Sequence, residues 1–383
     1  MKKPVQDMSI MKANSENIVL FYPHVSELAK SSVMETLDSR WIGQGPKVKI
    51  FEENFSKKFA SNLPAIAVGS GTDALHLSYM LAGLKPGDEV IAPLFTCTAT
   101  NIPFLYMGIK INFADVDINT MNMDTNHVRQ LMNNKVKAII CVHYGGLPCD
   151  MDELQSIANE WNIPIIEDAA HAVGAKYKGI DIGSISDFTM FSFQAIKHIT
   201  TGDGGMLIIK NKDLIDKAER IRWFGIDRKS KQAGIWENDI TEIGYKYQMT
   251  DIAAAMGIAS LSEFDEQSQI RKSLFQVYEE ELASFERLRI IGSGYKDREH
   301  AAWLFTVIVK DRYKLQEKLR DNNIESNQVH FRNDRYSIFK EFTNGKVFPN
   351  MDKIEDDYLV LPLHTKMTVE DARRVCSVIK SGW

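Results

Sequence analysis

Cysteine is scarce in this sequence, which has four in 383 residues. The four are scattered, without the Cys-x-x-Cys spacing or the clustered histidines of a zinc site, and they do not suggest a disulfide framework. Long hydrophobic runs are also missing, since no segment reaches the roughly 18 apolar residues of a membrane-spanning helix. The N-terminal Met-Lys-Lys-Pro is not followed by the apolar segment of a secretory signal. We therefore expect a cytoplasmic protein.

A strong charge of either sign is absent as well. The net charge is -5, which gives no basic footprint for nucleic acid or for an anionic membrane. We find no internal repeat and no low-complexity tract. The hydrophobic share of 44% and the charged share of 25% are typical of a globular protein. The length allows two or three packed units whose core needs no disulfides.

Short apolar runs alternate with helical patterns from residue 65 onward. The runs predict strands at 65–68, 89–92, 110–114, 136–142, 164–166, 188–193 and 206–209. The intervening patterns predict helices at 74–81, 99–107, 125–132 and 151–161. This alternation predicts an α/β fold with a mostly parallel sheet covered by helices, in which ligands bind beyond the C-terminal ends of the strands.

The first of these strand ends is rich in glycine. Residues 69–73 read Gly-Ser-Gly-Thr-Asp and lead directly into a predicted helix. Backbone amides and the Thr72 hydroxyl at such a turn can point at an anion, and the helix dipole adds to the attraction. A plain helix N-cap is the alternative, because Ser, Thr and Asp are favoured there for capping alone.

Lys197 stands between the apolar runs 188–193 and 206–209. An ammonium between two buried strands loses hydration and its pKa falls, which is the condition for a nucleophilic amine that forms Schiff bases. A surface lysine in a loop is the alternative, since lysine is rarely buried without a partner.

Asp168 follows the predicted strand 164–166 and precedes Ala-Ala-His-Ala-Val-Gly. Its carboxylate would lie at the sheet edge in a largely apolar setting, so we expect it to meet a cation. A carboxylate beside a protonated pyridine nitrogen keeps that nitrogen charged. An anion-binding turn, a buried carboxylate and a lysine, each at a strand end, together indicate pyridoxal phosphate better than any one of them does.

Several segments carry a family resemblance that covers the chain from about residue 20. They lie at 69–75, 142–152, 166–175, 191–197, 244–251 and 329–332. In these segments the sequence resembles the DegT-type sugar aminotransferases, including those that form 4-amino-4-deoxy-arabinose. The resemblance implies an aspartate-aminotransferase-like fold of type I and a cofactor that cycles between pyridoxal and pyridoxamine 5'-phosphate. It also implies amino transfer from L-glutamate to a nucleotide-linked keto-sugar, with a 4-keto group favoured, for lipopolysaccharide, O-antigen or other surface polysaccharide.

The resemblance also implies roles for single residues. Lys197 would bond the cofactor and move the proton, and Asp168 would hold the pyridine nitrogen. The phosphate would be bound by Gly71, Thr72 and Ser192, with His171 near the ring. His330 and Tyr245 would contact the sugar substrate.

A homodimer with active sites at the subunit interface is implied as well. The segment 244–251 would complete the partner's site, and Lys246, at a position where asparagine is common in the family, could contact the phosphate as a point charge. A solvated loop lysine is the alternative for Lys246. No metal and no nucleic acid is expected.

Two positions depart from the family pattern. Many members carry an aromatic residue against the cofactor ring where this chain has Cys97. Either Cys97 packs there as a small apolar group, or Phe95 or another aromatic residue substitutes. Gln194 stands where histidine is frequent, which leaves the aminated sugar carbon open.

Two other functions were weighed. Relatives that dehydrate a keto-sugar replace the Schiff-base lysine with histidine, whereas this chain keeps Lys197 and has His198 beside it. A regulator that binds the cofactor without turnover would be expected to carry a DNA- or protein-binding module, and no basic helix-turn-helix segment is apparent. Amino transfer is therefore favoured over both.

Three regions are expected along the chain. Residues 1–25 predict an irregular arm, 26–262 a large cofactor-binding domain and 263–383 a small α+β domain that closes over the cleft. In the small domain the patterns predict helices at 266–285, 313–322 and 369–380 and strands at 302–309 and 325–330.

Overall fold

The computed structural model describes residues 16–237 and 239–383. The helices are α1 Glu27–Leu37, α2 Pro46–Phe59, α3 Gly71–Leu81, α4 Thr98–Tyr106, α5 Thr125–Leu131, α6 Met151–Trp161, α7 Ile215–Arg222, α8 Arg228–Gln232, α9 Asp251–Ser262, α10 Phe264–Leu282, α11 Arg312–Asp321, α12 Lys340–Thr343, α13 Pro349–Ile354 and α14 Val369–Lys380. The strands are β1 Ala65–Val68, β2 Glu89–Pro93, β3 Lys110–Ala114, β4 Val136–Val142, β5 Ile165–Asp168, β6 Lys176–Tyr177, β7 Ile180–Asp181, β8 Phe188–Ser192, β9 Gly205–Ile209, β10 Leu288–Ile290, β11 Arg298–Glu299, β12 Phe305–Val309 and β13 Tyr358–Leu361.

A seven-stranded sheet in the order β1-β9-β8-β5-β4-β2-β3 is the centre of the fold. Strands β8, β5, β4, β2 and β3 pair in parallel, while β9 lies antiparallel between β1 and β8. The α/β class with a mostly parallel sheet is confirmed. The antiparallel β9 reverses direction because only the short loop 193–204 separates it from β8, and a parallel return needs a longer crossover.

Both faces of this sheet are buried, and successive residues of one strand face different cores. In β2, Val90 and Ala92 belong to one apolar cluster, whereas Ile91 belongs to the other. Helix α3 contributes Leu75 and Leu77 to the first cluster, and α2 contributes Phe51 to the second. Burial on both sides explains why the strands read as continuous apolar runs in the sequence.

A smaller sheet, β10-β12-β13, carries a third apolar cluster together with α10, α11 and α14. Ile18, from the predicted arm, packs in this cluster and forms an isolated parallel β-bridge with Ile324. The arm's first fifteen residues lie outside the described residues. The predicted strand at 325–330 is wrong, because the pairing is limited to an isolated bridge between Asn327 and Val360.

Several predicted bounds agree with the structure to the residue, among them β3, β4, α6 and α14. The predicted strand at 302–309 begins later, at Phe305, because Ala302 has a left-handed φ of 56° that a strand does not accept. Within the described part of the chain, no helix is both long and apolar enough to cross a membrane.

Candidate active site

Parallel strands place their C-terminal ends along one edge of the central sheet. Asp168 is the last residue of β5, Ser192 is the last residue of β8, and the loop after β1 leads into α3 at Gly71. These ends are neighbours because β5 pairs with β8. A β-carbon added to Gly71 would lie 3.1 Å from the β-carbon of Ser192. The structure therefore brings two of the predicted phosphate ligands into contact distance.

The start of α3 has free hydrogen-bond donors. Ser70 caps the helix by accepting from the Asp73 amide, and its carbonyl accepts from Ala74. The amides of Gly71 and Thr72 have no acceptor among the residues that the structure describes. Two free amides at a helix N-terminus, with the Ser192 hydroxyl beside them, fit a phosphate group.

Gly205 allows this turn to lie close to the sheet. A β-carbon at Gly205 would lie 2.4 Å from the Ser70 carbonyl oxygen and 2.8 Å from the Gly71 amide nitrogen. Only a residue without a side chain lets β9 approach the turn this closely. The glycine that begins β9 is thus explained by the shape of the site.

Asp168 is 5% exposed and accepts two hydrogen bonds. The Thr100 hydroxyl donates to one carboxylate oxygen at 2.7 Å, and the Ala170 amide donates to the other at 3.1 Å. Burial raises the pKa of Asp168, and these two hydrogen bonds and the charge of Lys197 oppose that rise. No cation lies within 4 Å of the carboxylate in the described residues. A protonated pyridine nitrogen would supply the missing charge partner.

Lys197 lies in the loop after β8, with its amine 3.6 Å from the centre of the Trp303 ring. Burial lowers the pKa of Lys197 to about 7, although the charges of Asp168 and Cys97 act in the opposite direction. Lys197 and Asp168 are therefore near enough to affect each other's protonation. A lysine with a pKa near neutrality can present a nucleophilic amine and can also carry a proton.

Two histidines lie beside this lysine. The ring nitrogens Nε2 of His171 and His330 are 3.3 Å apart, and the two rings are nearly parallel. Burial and then the charge of Lys197 lower the pKa of both imidazoles, that of His330 to about 3. The Gly145 amide donates to Nδ1 of His171, which places the His171 proton on Nε2. Both predicted residues thus lie near Lys197 as neutral rings.

Cys97 is exposed at the start of α4, and its thiol lies close enough to Lys197 to affect the lysine pKa. Phe95 is only 1% exposed, because Tyr144, Tyr358 and His330 surround its ring. Of these two residues, only Cys97 has an exposed side chain that could face the cofactor ring.

Lys246 and Tyr245 lie away from this group. Lys246 is exposed, bridges to Trp223, and holds its amine 5.6 Å from the Phe224 ring. Tyr245 stacks on Tyr247 and packs against His76. Within one chain, neither residue contacts Lys197.

Sequence reasoning missed three contributors to the site. Thr100 is the first, although the spacing of Thr96 and Thr100 by one helical turn was a usable signal. Trp303 is 106 positions from Lys197, and no local pattern connects them. The third is a buried pair behind the site, in which His143 Nε2 lies 2.8 Å from a Glu167 oxygen.

A family model described as the DegT/DnrJ/EryC1/StrS aminotransferase family matches residues 23–380. Among curated proteins, the chain is 34% identical over 318 residues to GDP-perosamine synthase of Escherichia coli O157:H7, covering 82% of this chain and 85% of that protein.

Solved structures agree with this match. The sugar aminotransferase CalS13 from Micromonospora echinospora has a TM-score of 0.90 and 30% identity, covering 95% of this chain and 99% of that one. Spr1654 from Streptococcus pneumoniae in its PMP-form has a TM-score of 0.88 and 29% identity, covering 95% and 98%. The phosphate turn, the carboxylate and the lysine of this chain all fit the same cofactor.

Proposed function

The chain belongs to the DegT/DnrJ/EryC1/StrS aminotransferase family, and from that premise we propose that it transfers an amino group from L-glutamate to the 4-keto carbon of a nucleotide-linked sugar. As a family member it is a pyridoxal-phosphate-dependent sugar aminotransferase. The observation that carries the proposal is the approach of Lys197 and Asp168 beside the free amides that begin α3.

Each residue of the site has a defined task in this proposal. Bound pyridoxal phosphate supplies an electron-accepting ring and a carrier for the amino group. Asp168 holds the proton of the ring nitrogen, and Thr100 keeps that carboxylate oriented and charged. The amides of Gly71 and Thr72, with the Ser192 hydroxyl, hold the phosphate. Lys197 bonds the cofactor and, when released, takes and returns the proton at the substrate carbon.

Neutral His171 and His330 suit the part of the site that would receive the sugar. Their low pKa values keep them uncharged at neutral pH. Nδ1 of His171 accepts from Gly145, and its Nε2 proton faces Nε2 of His330, so the Nδ1 proton of His330 is the donor left for a sugar hydroxyl. A nucleotide-linked substrate is supported by the relative named GDP-perosamine synthase. The 4-keto position is supported by the resemblance to the 4-amino-arabinose-forming enzymes. Surface-polysaccharide synthesis in the cytoplasm is the setting we propose.

A homodimer is part of the same proposal. Large apolar side chains are exposed in the loops on either side of α8 and near the end of α1, including Trp236 at 75% and Ile243 at 79%. Exposed apolar surface of this kind is typical of a protein interface. Lys246, in the same region, would then reach the phosphate of the partner's site rather than that of its own.

The test is a single-turnover panel. Protein in the pyridoxamine form is mixed with UDP-, GDP- and dTDP-linked 4-keto-sugars, and the return of visible cofactor absorbance is followed while the product is identified by mass spectrometry. One of the sugars is expected to restore the absorbance and to gain nitrogen. Lys197→Ala should abolish both signals, whereas Lys212→Ala, at an exposed lysine, should not. A deoxygenated product without nitrogen would overturn the proposal in favour of dehydration.

A further inference from the structure

Trp303 has a fixed position in the cleft. Its side chain is 2% exposed, and its ring nitrogen donates to the Ile196 carbonyl at 3.3 Å, directly beside Lys197. Its backbone amide donates to the Gly145 carbonyl at 3.1 Å. The preceding Ala302 has a φ of 56°, a conformation that costs energy outside glycine and persists only where surrounding contacts impose it. The indole is thus held through both its side chain and its backbone.

The indole ring is the contact partner of the Lys197 amine. The nitrogen lies 3.6 Å from the ring centre, well within the roughly 6 Å range of a cation–π interaction. In the described part of the chain, the amine has no carboxylate within 4 Å and no hydrogen-bond acceptor. The face of Trp303 is therefore the group in direct contact with a charged Lys197, and the charges of Asp168 and Cys97 act on the amine from farther away.

The other neighbours of Trp303 do not compete for this role. His171 stacks on the indole at 3.8 Å and Phe21 at 5.9 Å. Burial and the Lys197 charge lower the pKa of His171 well below its usual value, so the imidazole stays neutral beside the ammonium. The stack therefore holds one positive charge, and that charge is on Lys197.

An amino-transfer cycle needs a defined position for the lysine amine while that amine is free. The lysine is bonded to the cofactor in one half of the cycle and is free in the other, when the amino group is on the cofactor. A free lysine side chain has several rotatable bonds and would otherwise sample many positions. It must nevertheless return to the same carbon in every turnover.

We propose that Trp303 is a positioning residue that holds the amine of Lys197 on its indole face whenever that amine is not bonded to the cofactor. The inference rests on the proposed role of Lys197. It predicts that the indole stabilises the charged form of the amine, so removing the ring should lower the lysine pKa. A residue that served only to fill space would not affect the protonation of Lys197 in this direction.

The experiment measures the reactivity of Lys197 in the cofactor-free, full-length protein. An amine-acylating reagent is applied across pH 5 to 9, and modification of Lys197 is quantified by peptide mass spectrometry. For Trp303→Leu we expect labelling at pH 6 to be about fivefold faster than in the wild type, because loss of a cation–π contact lowers a pKa of about 7 by about one. Trp303→Phe keeps an aromatic face and should give an intermediate rate.

Phe21→Leu is the matched control, since Phe21 packs on Trp303 without a recorded contact to the lysine, and its labelling profile should match the wild type. An unchanged labelling profile in Trp303→Leu, or a profile moved to higher pH, overturns the inference.

The proposed function is examined separately by treating wild-type protein with pyridoxal phosphate and borohydride. If that treatment fails to protect Lys197 from the reagent, Lys197 is not the cofactor lysine, and the proposed function fails whatever Trp303 does.

Discussion

The hydroxyl of Thr100 donates a 2.7 Å hydrogen bond to the carboxylate of Asp168. Since the single Thr100 proton is used in this bond, Thr96 must be the donor in its own 2.8 Å contact with Thr100. The first turn of α4 therefore orients the carboxylate that would face the ring nitrogen. Hydrogen bonding to the charged form lowers the pKa of a carboxyl group, which opposes the rise that burial causes in Asp168.

Replacing Thr100 with valine should raise the pKa of Asp168 further. We expect kcat/KM to fall about tenfold or more, because a hydrogen bond to a charged group contributes about 1.5–3 kcal/mol. The acid limb of the pH profile should move to higher pH, because the carboxylate becomes protonated earlier. Thr96→Val, which leaves the Thr100 bond in place, should have a smaller effect. Equal effects from the two variants would count against a direct role of Thr100.

The buried pair of His143 and Glu167, which lies behind the site, should contribute to the free energy of unfolding. Glu167 also accepts from the Ser186 amide and from the Thr189 hydroxyl, both at 3.1 Å. Glu167→Gln replaces one accepting carboxylate oxygen with an amide NH2, which leaves His143 or the Ser186 and Thr189 donors without an acceptor, and a lost hydrogen bond to a charged group costs about 1.5–3 kcal/mol. Urea unfolding would measure the loss. Glu160→Gln, which breaks an exposed pair with Arg129, is the control and should change little.

The sheet could be predicted from the sequence because its strands are buried on both faces. Runs such as Val136–Val142 carry the strand signal locally, and the polar residues that follow them mark the ligand edge. The predicted strand at 325–330 failed because this mostly polar segment leads into the cleft. There the Tyr358 hydroxyl donates to the His330 carbonyl, and no ladder with a neighbouring strand forms.

Tertiary contacts explain what the sequence did not reveal about the site. Asp168 was expected to follow an apolar strand, yet β5 includes the buried Glu167. This carboxylate is tolerated because His143, directly after the adjacent strand β4, pairs with it. The Trp303 contact with Lys197 depends on the packing of the segment before β12 against the sheet edge. No periodicity within either segment encodes that contact.

The proposed dimer can be tested by mixing two impaired variants. If Lys246 serves the partner's site, Lys197→Ala and Lys246→Ala homodimers are each impaired, but a mixed dimer has one site with both lysines. After subunit exchange at equal amounts, activity should recover to about a quarter of the wild-type level, because half of the dimers are mixed and each has one intact site. Sedimentation measurements would establish the dimer itself. If mixing adds nothing to the separate activities, Lys246 does not act across an interface.

The close approach of Gly205 to the phosphate turn gives the last prediction. In Gly205→Ala the new methyl group would overlap the Ser70 carbonyl and the Gly71 amide, at 2.4 Å and 2.8 Å. These are backbone atoms, so the turn itself must move, and overpacking of this kind costs about 1–3 kcal/mol. Because the displaced amide is one of the proposed phosphate donors, affinity for pyridoxal phosphate should fall by at least about tenfold. Equilibrium titration followed by absorbance would measure this affinity.

Gly43→Ala, where a β-carbon meets nothing within 4 Å, should bind the cofactor as the wild type does. Unchanged affinity in Gly205→Ala would mean that the phosphate is held elsewhere than at the start of α3.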